Sequence, residues 1–62
     1  MSFEEAMKYF KPEEQSFLRA LYAHGRLRIV GSEDERVPLG VTHVLVLKEG
    51  EPPKAIRKRF AD

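Results

Sequence analysis

The spacing of apolar residues changes once along this chain, at Gly25, and that change limits the folds available to it. Before Gly25 the apolar residues recur at helical intervals: Phe3, Ala6, Met7 and Phe10, then Phe17, Leu18, Leu21 and Tyr22. After it they alternate, as in "RLRIV", where Arg26 and Arg28 interleave with Leu27 and Ile29. A period near 3.6 marks an amphipathic helix and a period of 2 a half-buried strand. The chain is therefore read as α+β, helices first.

Local signals divide the helical half in two. Ser2 and Glu5 have the spacing of a capping box, in which each side chain satisfies a free backbone N–H of the other residue. Pro12 disfavours helical geometry at Lys11 and suits the first turn of a new helix, whose positive end Glu13 and Glu14 complement. Gly25 closes that helix, with His24 in its last turn. Phe3, Phe10 and Phe17 are spaced like heptad positions, but Pro12 interrupts them and no second apolar position is sustained. Two short helices, about 2–10 and 12–24, are expected.

In the second half, strands are expected at about 26–30 and 41–47. "GSEDERVPLG" between them reads as a solvated loop. Val44 to Leu47 is an unbroken apolar run, the mark of a strand covered on both faces and so of a central one. "KEGEPP" then supplies turn residues. Residues 54–60 fit either a short helix or a strand, because Ile56 and Phe60 share a face in both. A central strand needs two neighbours, and Lys54 and Lys58 would blunt an exposed edge, so the strand is preferred. The expected fold is one domain over residues 1–62, with two helices packed on one face of a three-stranded antiparallel sheet, order 1-2-3. A winged-helix arrangement is excluded, since only two helices precede the strands and the second has no basic exposed face to read DNA.

Composition narrows the function. The chain has 62 residues, near the lower limit for independent folding, and no cysteine, so neither disulfides nor thiolate metal sites support it. Association with itself or a partner is the remaining common supplement for so small a core. Charged residues make up 34 % of the chain, yet the net charge is only +1. The basic excess sits in residues 48–62, which hold five basic and three acidic side chains. No apolar run is long enough to cross a membrane, and the acidic N-terminus does not resemble a secretion signal. A cytoplasmic protein without a membrane partner is expected.

Chemistry is harder to find. His24 and His43 lack the spacing of paired metal ligands, and the Glu33, Asp34, Glu35 cluster lacks that of a calcium loop. No serine sits in a nucleophile motif, the four glycines are scattered, and so short a chain leaves little room for a substrate pocket of several hundred Å3. Neither catalysis nor a metal or other cofactor is expected.

What remains is a surface. If the helices cover Leu27, Ile29, Ile56 and Phe60, then Arg26, Arg28, Arg57 and Arg59 emerge on the opposite face of the sheet. Val44 and Val46, or Leu45 and Leu47 in the other register, would lie between them. An apolar centre with an arginine border is the anatomy of a protein interface, with Val44 and Val46 at its core and a dimer the expected product. The alternative is a nucleic-acid-binding accessory in which the four arginines hold phosphates. That face offers no aromatic stacking platform, which disfavours the alternative. The bland reading is that the arginines only solubilise a thin domain and cover valines with their stems.

Overall fold

The computed structural model describes residues 1–58 and contains helices α1 (Phe3–Met7) and α2 (Pro12–Ala23) followed by strands β1 (Leu27–Val30), β2 (His43–Val46) and β3 (Lys54–Arg57). The α+β class and the element order agree with the sequence reading. Residues 54–57 are strand, while Arg59 and Phe60, the remainder of that expected element, lie outside the described residues.

The capping box forms at α1: the Glu5 amide donates to Ser2 Oγ at 3.2 Å and the Ser2 amide to Glu5 Oε1 at 3.4 Å. The helix stops at Met7, earlier than its apolar stripe suggests. The amides of Tyr9 and Phe10 bond the carbonyls of Ala6 and Met7, three residues back, so the chain tightens into turns before Pro12. In α2, Glu14 reaches back to accept from the Lys11 amide at 2.9 Å. At the other end the amides of Gly25 and Arg26 bond the carbonyls of Tyr22 and Leu21, with Gly25 at φ +70°. This is a Schellman ending, and its left-handed residue explains the glycine. Arg19 joins the helices through two bonds to the Glu4 carboxylate, 2.7 and 2.9 Å long, and Phe3 stacks on Tyr22 at 4.7 Å.

The strand order is β1-β2-β3, as expected, but the sheet is mixed. β2 and β3 are antiparallel, whereas β1 and β2 run parallel, which corrects the all-antiparallel expectation. The cause lies in residues 31–42. A parallel pair needs a crossover of about a dozen residues, and this segment is just long enough. It also carries Val37, which packs against Val30, Val44 and Val46, and Val41, which is buried. A hairpin would have left Val37 in water and one face of the sheet bare. The β2–β3 hairpin turns at Gly50, whose φ of +81° is what a type II turn requires at its third residue.

Pairing fixes which side chains share a face. Leu27, Ile29, His43, Leu45, Ala55 and Arg57 lie on one face; Arg28, Val30, Val44, Val46, Lys54 and Ile56 lie on the other. Ala6, Met7 and Leu18 share a buried cluster with Leu27 and Leu45, flanked by Phe3, Phe10, Leu21 and Leu47. Val30, Val44 and Val46 form a second cluster beneath Val37 and beside Ile56. Among the described residues no polar or charged side chain is buried.

Candidate interaction surface

Val44 and Val46, expected at the centre of an open face, are 0 % and 2 % exposed. The crossover that parallel pairing demands closes over them, so they belong to the core of this chain. The arginine border is also divided. Ile56 opposes Val44 and shares its face, which turns Arg57 to the Leu45 face beside His43. Arg28 opposes Val44 and lies on the Val44 face. Arg26, exposed, precedes β1, and Arg59 lies outside the described residues. The described arginines therefore do not make one basic face.

What the fold leaves open is its two sheet edges. The Arg26 carbonyl accepts from the His43 amide at 3.1 Å and the Val30 carbonyl from Leu47 at 2.9 Å. Even-numbered residues of β1 thus turn their backbone groups toward β2, and Leu27 and Ile29 turn theirs outward. The Lys58 amide donates to the Thr42 carbonyl at 2.8 Å, and by the same alternation Ala55 and Arg57 point outward from β3. Neither outer edge has a strand partner among the described residues.

The two edges differ in chemistry. Along β1, Leu27 is buried and Ile29 is 38 % exposed, a large apolar side chain beside free backbone groups. Arg26 and Arg28 are exposed where the strand starts, and Glu33, Asp34 and Glu35 follow where it ends. The Glu35 carboxylate accepts from the Gly31 amide at 3.2 Å, tying off the next outward donor. The β3 edge carries three cations, Lys54, Arg57 and Lys58, and is preceded by Pro53, which has no amide to offer. Lys58 also reaches across to the Glu33 carbonyl at 2.6 Å. Cationic side chains and a proline are the usual means of keeping an edge unpaired.

Beside β3, on the Leu45 face, Phe10, Phe17, Leu18, His43, Ala55 and Arg57 line an open groove of about 420 Å3, with Glu13 and Glu14 at its rim. A second open groove, of about 760 Å3, lies between α1 and the turn before β3. The chain thus has more concave surface than its length suggests. Phe17 meets the His43 ring edge-on at 5.4 Å, and Thr42 Oγ1 lies 2.8 Å from His43 Nδ1. Burial, and then the nearby Arg57 charge, hold the His43 pKa below its ordinary value, so the ring is neutral near pH 7.

Sequence reasoning missed Ile29 as a surface residue and the groove altogether. Val37 held the signal: an isolated apolar residue in an acidic loop needs cover, and the cover it finds is the face expected to be open. Comparison with protein-family models, with curated proteins and with solved structures returned no match.

Proposed function

We propose that this chain is a small non-catalytic association module, working as a homo-oligomer or as an accessory to a larger protein, and that it meets its partner at a sheet edge. The observation that carries this reading is the outer side of β1: backbone groups at Ile29 with no strand partner among the described residues, beside a half-exposed isoleucine. The strand is without proline, and its one cation, Arg28, turns its own backbone toward β2. A strand in that state gains hydrogen bonds and apolar burial from any extended segment laid against it. The size of the chain supports the same view, because a 62-residue domain without disulfides has a marginal core that added contacts would reinforce.

Analytical ultracentrifugation over a wide concentration range tests this. Association predicts a mass that rises with concentration, together with amide shifts at 27–31 that change on dilution. A constant monomer mass at the highest attainable concentration, with no dilution shifts, would remove the homo-oligomeric form and leave only the accessory role. Nucleic-acid binding through Arg26, Arg28, Arg57 and Arg59 has a different signature. Its affinity would fall steeply with added salt and weaken on Arg57→Ala, whereas an edge-pairing module is indifferent to DNA and RNA.

A further inference from the structure

We propose that the β1 edge is complementary to itself: a second copy of this chain pairs with it antiparallel about a two-fold axis at Ile29, joining two three-stranded sheets into one. This names the surface and register of the association proposed above and rests on that reading.

Backbone directions come first. A two-fold axis normal to the sheet keeps every residue on its own face, so a central residue must pair with its own copy. Only Arg28 or Ile29 can serve within so short a strand. Centring on Arg28 sets two guanidinium groups opposite each other in a non-hydrogen-bonded pair, where Cα atoms are only about 4.5 Å apart. Centring on Ile29 makes a hydrogen-bonded pair, each Ile29 amide donating to the Ile29 carbonyl of the second copy. Arg28 then faces Val30 of the second copy, and the two exposed isoleucines cover one another.

Charge favours the same antiparallel sense. β1 begins with Arg26 and Arg28 and runs into Glu33 and Asp34. Antiparallel copies lay the basic start of each beside the acidic end of the other, twice per dimer. Arg28 lies on the Val44 face, the side on which the crossover that carries Glu33 and Asp34 packs through Val37. The Glu35 carboxylate, already on the Gly31 amide, ends the pairing one step past β1. β3 is the poorer candidate, since Pro53 leaves its outward side one backbone donor short and Lys54 and Arg57 stand within the strand itself.

Three measurements test the proposal. Ile29→Lys should weaken the dimer about tenfold or more, because the new charge enters twice at the axis. Ile29→Cys, which gives the cysteine-free chain a single thiol, should form an intermolecular disulfide under mild oxidant, since partners in such a pair sit about 5.5 Å apart at Cα, within disulfide reach. Finally, the double variants R26E/R28E and E33R/D34R should each be monomeric alone and dimerise when mixed, which also shows that both fold. A wild-type chain that stays monomeric at every concentration overturns this register and the homo-oligomeric reading together. An oligomer that is indifferent to Ile29→Lys, and whose Ile29→Cys variant forms no disulfide, overturns the register alone. So does a mixture of the two charge variants that associates no better than its components.

Discussion

At the scale of single residues, His43 and Val44 sit side by side in β2 on opposite faces, and each makes a distinct demand on the folded state. His43 resists protonation because burial and Arg57 disfavour its cation. The unfolded chain takes up the proton first, near the ordinary histidine pKa of about 6.5. The stability linked to His43 is therefore fully present above that pH and is lost as pH falls toward the lower folded value. Urea midpoints measured from pH 7.5 down to 5 should decline in the wild type and change less in His43→Gln; parallel profiles would refute the argument. Val44 has no exposed surface, so Val44→Glu should not produce a folded monomer deprived of its dimer contact. It places an unpaired carboxylate in an apolar cluster at a cost of several kcal/mol, comparable to the whole stability of a domain this small. Loss of dispersion in the amide spectrum is the expected result, and a well-folded Val44→Glu would show that this face can open.

At the scale of elements, the strands were easier to locate than to pair. The period change at Gly25, the Ser2 cap, the Pro12 start and the apolar run from Val44 each placed an element within a few residues of its position. The direction of β1 against β2 left no such trace, because side chains alternate between faces whichever way the neighbouring strand runs. That ambiguity carried into the site, where it hid the closure over Val44 and Val46; the face of Arg57 turned instead on the β2–β3 register, which sets Ile56 opposite Val44. The information lay instead in residues 31–42, where Val37 and Leu39 look alike in sequence. In the fold Val37 packs on the valine cluster while Leu39 is 89 % exposed. Val37→Asp should accordingly lower stability by about 1–3 kcal/mol and raise binding of a hydrophobic dye, with Leu39→Asp staying within about 0.5 kcal/mol of wild type. Equal effects in chemical denaturation would mean that the crossover does not cover the face through Val37.

At the scale of the whole molecule, folding and association are linked. Two small apolar clusters separated by a sheet give little reserve, so any contact made only by the folded chain shifts the unfolding equilibrium by mass action. The thermal midpoint should rise with protein concentration in the wild type and become independent of it in Ile29→Lys, as read by calorimetry over about a hundredfold range of concentration. A midpoint independent of concentration in both chains would argue against association at any strength relevant to stability. Among the described residues the buried side chains are all aliphatic or methionine. An interior of that kind sets volume and pattern but holds no hydrogen bond that distinguishes one register from another. Exchanges among Val, Ile, Leu and Met there are the mildest class of core change, at less than about 1.5 kcal/mol each when volume is kept. Gly25, Gly40 and Gly50 have no such latitude, since each holds a positive φ that other side chains rarely adopt. Descendants of this sequence can therefore drift through the core while keeping the turns, and a distant relative would be recognised by its punctuation before its hydrophobic residues.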